Sequence, residues 1–230
     1  MLELLRNIQL HINEKIFIKD PYTTDLGKSI IKESLVLIDE MGLEEFTFKK
    51  LAVKIGTTES SIYRYFNNKH RLLIYLMSWY WGWLEYKLVF RMANLSTPEE
   101  KLIAAISELV EDIEDLELNG NINLTTLSKI AISESAKSYL TKEIDTESKD
   151  GFFSSYFHLC KRISLVCHEI NPDFKYSKAL VSTIYEGIHH QKFFSIHINP
   201  ITEFDISSQD DMKEFFINIA LNTLKKGKAI

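Results

Sequence analysis

Between residues 24 and 68, helix-starting and helix-stopping residues follow each other so closely that only short, tightly connected helices fit. Thr24 and Asp25 can cap a helix with apolar positions at Leu26, Ile30, Ile31, Leu35, Leu37, Ile38 and Met41. This is a 3.6-residue pattern broken only by Ser34, and Gly42 is expected to end it. Thr47 can cap a second helix holding Leu51, Ala52 and Ile55, which Gly56 closes. Thr58 caps a third, with Ile62 and Phe66 on one side and Glu59, Ser60, Tyr63 and Arg64 on the other. Asn68 then starts a long fourth helix reaching about Met92. Two short helices around a glycine turn, braced on both sides, have the sequence form of a helix-turn-helix. Its outer face carries hydroxyls, a phenol, a guanidinium and one carboxylate, all groups that hydrogen-bond base edges and phosphates.

The rest of the chain is consistent with an all-α protein. Gly and Pro number only 8 and 4 in 230 residues, which disfavours turn-rich β folds. Further helices are expected at about 98–117, 123–140, 150–170, 174–197 and 207–227. The first of these starts at Thr97-Pro98-Glu99-Glu100, and Ser207 and Ser208 can cap the last. His11 to Lys19 alternates partly like a strand. The richest apolar run, Leu72 to Leu84, has 13 residues against the roughly 20 of a membrane span. No export signal is seen at the amino terminus, so a cytoplasmic protein without a membrane partner is expected.

Charge is unevenly placed. The net formal charge is −5, yet residues 49–71 hold Lys49, Lys50, Lys54, Arg64, Lys69 and Arg71 against Glu59 alone, a net of +5. Residues 94–230 carry −7. A short basic segment on an acidic body has the form of a phosphate footprint.

Residues 24–75, and above all Phe48 to Leu73, resemble the DNA-binding domain of the TetR family of bacterial regulators. The family pattern is met at Gly56, Thr58, Ser61, Ile62-Tyr63, Phe66, Lys69 and Leu72-Leu73. The resemblance implies that Thr47 binds phosphate at the start of the second helix, where free amides and the helix dipole favour an anion. It implies that Thr57, Thr58, Glu59, Ser60 and Ser61 form the start of a recognition helix at the major groove. Tyr63 and Lys69 would hold backbone phosphates, and Arg64 either a phosphate or a guanine edge. Glu59 departs from the basic or small residue common in the family. It must accept from a cytosine amino group, pair with a base such as Arg64, or point away.

Other signals are weaker. The seven histidines lack the i,i+4 pair of a helical zinc site, and Cys160 and Cys167 read as core residues. No nucleophile elbow, phosphate loop or paired catalytic carboxylate is found, so neither catalysis nor a cofactor is expected. The aromatic residues of the fourth helix read mainly as core; in the functional reading Trp79, Trp83 and Tyr86, with Phe153 and Tyr156, line an apolar ligand pocket. The expected plan is an arm (1–23), a three-helix reading domain (24–75) and a helical ligand-binding and dimerisation domain (76–230), joined by a long helix. That plan describes a homodimeric regulator, most simply a repressor freed from a palindromic operator by a small apolar ligand. Its dimer helices are those near 174–197 and 207–227, where a partner helix would explain Gly187. The alternative is a helical-bundle enzyme or carrier with purely structural amino-terminal helices.

Overall fold

The computed structural model describes residues 10–113, 116–118, 120–205 and 207–226. Eleven α-helices run through them: α1 (Asp25–Glu45), α2 (Phe48–Ile55), α3 (Glu59–Tyr63), α4 (Lys69–Met92), α5 (Pro98–Val110), α6 (Leu124–Glu134), α7 (Ala136–Tyr139), α8 (Ile144–Lys149), α9 (Ser154–Ile170), α10 (Ser177–His197) and α11 (Gln209–Lys226). One antiparallel pair, β1 (Glu117–Leu118) and β2 (Ile122–Asn123), sets Glu117 against Asn123 and Leu118 against Ile122. The all-α expectation holds.

Several expected boundaries move. The helix from Pro98 ends at Val110, because Glu111 leaves the helical region (φ −56°, ψ 140°), and Glu117, the expected last residue, lies in β1. The sequence pair Asn119-Gly120, between the two expected helices, is a hairpin signal. The 123–140 helix breaks at Ser135 into α6 and α7. An additional helix, α8, precedes α9, and α10 starts at Ser177, three residues late. Residue 227 lies outside the described residues. Gly42 kinks α1 without ending it: its φ of +74° breaks the helical track, and Leu43–Glu45 resume it. The partial alternation after His11 is not a strand. Asn13 and Asp20 cap two 3-10 turns there, Glu14–Ile16 and Pro21–Thr23.

The chain divides into two compact units, Met1–Tyr80 with Ile113–Ser154, and Trp81–Asp112 with Ser155–Ile230. The first therefore holds more than residues 24–75: the hairpin and α6 to α8 pack with the amino-terminal helices. Within it, α1 packs on α2, α6 and the Pro21 turn, around Ile30, Ile31, Leu35, Ile38, Phe46 and Leu51. Glu134 of α6 is buried and accepts from the Leu43 amide at 3.2 Å, taking up a backbone donor exposed by the kink.

In the second unit α11 packs on α5 and α10. Trp81 donates to the Tyr185 hydroxyl at 2.8 Å, and Tyr156 stacks on Trp81 at 4.9 Å. Buried Glu108 binds Lys87, and Arg91 at 3.0 Å. A Cβ at Gly187 would lie 3.0 Å from the ring of Phe216. The glycine thus makes room for α11 of the same chain, which replaces the partner-helix explanation.

His189 is buried in this unit beside Tyr185, at 4.4 Å between ring centroids. Burial, with the charges of Lys192 and His190, pushes its pKa down to about 3. The unfolded chain takes up this proton near pH 6.5 while the native state refuses it, so stability falls as pH drops from about 6.5 towards 3. At pH 5.5 this one group is expected to cost about 1.4 kcal/mol. Denaturant unfolding of wild type and His189→Gln between pH 7.5 and 5 checks it: the variant should lose that part of the slope. An unchanged slope would mean that other groups govern the acid response.

Candidate DNA-reading site

The site is assembled by caps. Thr47 accepts from the Lys50 amide at 3.2 Å and so starts α2. Gly56 ends α2 in the left-handed region (φ +75°), which a side chain would strain, and the Thr57 amide donates back to the Ala52 carbonyl at 2.9 Å. Ala52 is buried, as close packing of α3 requires. Thr58 starts α3, accepting from the Ser61 amide at 3.3 Å, while its hydroxyl meets those of Ser60 (2.9 Å) and Ser61 (2.8 Å). Ile62 and Phe66 are fully buried and fix α3 from beneath. Thr58→Ala should destabilise α3 by about 1 kcal/mol, the worth of an N-cap. Chemical-shift perturbation confined to 57–64 checks this; an effect spread through the unit would make Thr58 a general core contact.

The expected residues of α2, α3 and the turn between them differ in exposure. Thr47, Thr58, Ser60, Tyr63 and Arg64 are exposed, and Thr57, Glu59 and Ser61 half-buried. Tyr63 leans edge-on against Phe48 at 5.0 Å and is 47% exposed. Its neighbour Tyr65 is buried and shares a 2.7 Å hydrogen bond with Thr24. Among the described residues Glu59 and Arg64 form no ion pair with each other, so Glu59 is not neutralised that way.

Lys69 has partners within the fold. Its ammonium donates to the carbonyls of Leu43 (2.8 Å), Glu44 (2.9 Å) and Phe46 (3.2 Å). All three donors are directed at the end of α1, where the helix dipole also favours a cation, so the ammonium ties α4 to α1.

The basic footprint shrinks in the same way. Lys50 donates to the Glu45 carbonyl at 2.7 Å, and Arg71 lies 3.7 Å from Glu147 and 4.1 Å over the Phe152 ring. Lys49, Lys54 and Arg64 remain exposed, with no ion pair among the described residues. Glu147, buried and bonded to His70 at 3.1 Å, had no sequence signal, since an isolated glutamate in a charged stretch reads as solvated.

The expected ligand-pocket residues are split between the units. Trp79 and Phe153 are buried in the first. In the second, Trp83 is buried beneath the Lys87 ammonium, Tyr86 packs on Phe90, and Tyr156 donates to Glu186 at 2.7 Å. No group of three or more His, Cys, Asp or Glu among the described residues is placed to hold a metal ion. None of the helices among the described residues is long and apolar enough to cross a membrane.

Residues 30–76 match the model of bacterial regulatory proteins, tetR family. No curated protein matches the chain in sequence. Among solved structures, AibR, determined with isovaleryl coenzyme A and operator DNA, is 13% identical; the match covers 86% of this chain and 97% of that one, with a TM-score of 0.57. The fatty acid degradation regulator FadR from Bacillus halodurans is 17% identical, over 92% and 98% of the two chains, with a TM-score of 0.57. The superantigen PfiT is 14% identical, over 86% and 95%, with a TM-score of 0.54. These similarities concern the fold. The match that bears on DNA reading is the one at residues 30–76.

Proposed function

From the premise that residues 30–76 belong to the tetR family of bacterial regulatory proteins, we infer that the chain is a DNA-binding transcriptional regulator. The observation that carries this reading is the outward surface of α3, capped at Thr58 and packed on Ile62 and Phe66, with Ser60, Tyr63 and Arg64 turned to solvent. Thr47 and the first amides of α2 suit one backbone phosphate, Tyr63 another, and Lys49, Lys54 and Arg64 supply the screened attraction that brings the duplex in. Ser60 and Arg64 are the base readers, with Thr57, Glu59 and Ser61 at their flanks.

The chain works as a homodimer, since one short helix reads too few bases for useful specificity. Exposed apolar side chains on and after α10 and on α11 support that region as the interface: Ile196 (52%), Ile201 (58%) and Phe215 (46%). The function is repression in the cytoplasm, relieved by a small apolar ligand, and the chain is a regulator, not an enzyme or carrier. The ligand acts by preferring a dimer whose recognition helices miss the groove spacing of roughly 34–36 Å; a 100-fold preference is worth about 2.7 kcal/mol.

Selection of bound duplexes from random DNA tests the reading. Enrichment of a two-fold symmetric site with half-sites about one helical turn apart is expected. Absence of any enriched sequence would sink it.

A further inference from the structure

A cavity of about 380 Å³ lies within the first unit, between the segment Leu10–Tyr22 and the first half of α4. Ligand pockets fall within roughly 300–1,000 Å³, so the space suits a small organic molecule. Four aromatic side chains, Phe17, Tyr22, Tyr75 and Trp79, line it beside Leu10 and Ile12. Phe17 meets Tyr75 edge-on at 6.0 Å, and Tyr22 tilts against Trp79 at 6.4 Å. Tyr75 and Trp79 are buried, which fixes two of the four rings within the core.

The charged groups at its rim are acidic. Glu14 and Asp20 line it together with His11, and no lysine or arginine does among the described residues. Asp20 spends Oδ1 on the Tyr22 amide at 2.8 Å, which holds the carboxylate in place, and no hydrogen bond to its second oxygen is found among the described residues. After burial, the charge of Asp20 is a further cause raising the hydroxyl pKa values of Tyr22 and Tyr75, so its field reaches both rings. The ammonium of Lys28 already sits 5.6 Å over the Tyr22 ring.

Aromatic faces present negative potential, and a cluster of them next to carboxylates is the arrangement that recognises ammonium groups. An anion would meet two carboxylates, and a neutral guest would leave their field unused.

We propose that this cavity is a binding site for an organic cation, specifically a small alkylammonium head enclosed by Phe17, Tyr22, Tyr75 and Trp79 and neutralised by Asp20 and Glu14. The site goes beyond the DNA-reading function and does not depend on it. It adjoins that machinery, however: the Ile18 amide donates to the Tyr65 carbonyl at 2.8 Å, immediately after α3, and Tyr75 packs edge-on against Phe66 at 5.4 Å.

The experiment is calorimetric titration of the full chain, at physiological salt, with choline and with its neutral isostere 3,3-dimethylbutan-1-ol. Saturable choline binding is expected, at least about tenfold tighter than that of the isostere. Asp20→Asn with Glu14→Gln should remove the preference, because asparagine keeps a cap oxygen for the Tyr22 amide while the charge is lost. Trp79→Phe should weaken choline and leave a smaller preference. Equal affinity for both probes, no saturable binding of choline, or a preference undiminished in the double variant would each overturn the proposal. The wild-type comparison decides even where a variant fails to fold.

Discussion

Lys69→Met is expected to lower the unfolding free energy by about 1.5–3 kcal/mol, the range for hydrogen bonds to a charged group. It is also expected to weaken binding to every duplex without changing the salt slope. The ammonium satisfies three carbonyls at the end of α1, and methionine fills the same channel but donates nothing. Those carbonyls lie beside the kink at Gly42, where the last turn of α1 has few other ways to be satisfied. The recognition helix depends on this join, because α3 and the start of α4 are consecutive along the chain. DNA affinity should therefore fall through loss of the folded reading domain, by a factor common to all sequences. Denaturant unfolding, together with binding at four or five salt concentrations, measures both parts. A salt slope reduced by about 0.9 per subunit, with stability unchanged, would identify Lys69 as a phosphate ligand after all.

Arg64→Ala should act on sequence preference. The guanidinium is exposed next to α3, carries no ion pair among the described residues, and is long enough to present both arms to a guanine edge. Against a panel of single-base operator variants, the substitution should cost about 1–3 kcal/mol on the preferred base at one position per half-site. It should cost little where that base is already changed. The same loss on every member of the panel would make Arg64 a positioning contact to phosphate. Ser60→Ala, measured beside it, should shift preference at a different position, because Ser60 lies a full turn earlier in α3.

The helix-turn-helix geometry was legible in the sequence because it is built from local rules. Caps at Thr47 and Thr58, the left-handed turn at Gly56 and the buried pair Ile62 and Phe66 each depend on residues within a few positions of one another. What was not legible depends on distant partners. Lys69 reads as a free cation until the end of α1 is seen to fold beneath it. Glu134 and Glu147 read as solvated carboxylates, yet each is buried against a group more than 70 residues away. Gly187 signalled a close approach correctly, but the sequence could not say whose side chain approached. The hairpin at Leu118–Ile122 is a different kind of miss. It falls in the gap between two expected helices, where periodicity says nothing about pairing and the sequence pair Asn-Gly is the local sign of a turn. The cavity beside Trp79 needed the segment Leu10–Tyr22 to be placed, and no periodicity announces where a segment of irregular turns will pack.

The central claim is that α3 and its neighbours read double-stranded DNA. It is tested most directly by equilibrium binding of the full chain to a selected duplex and to a scrambled duplex of equal length and composition, over a range of salt. The account predicts affinity for the selected duplex that exceeds the scrambled one by at least about 10³-fold at physiological salt. It also predicts a log–log salt slope for the dimer of about −3.6, from Lys49 and Lys54 on each of two subunits. Equal affinity for the two duplexes, or binding indifferent to salt, would contradict it.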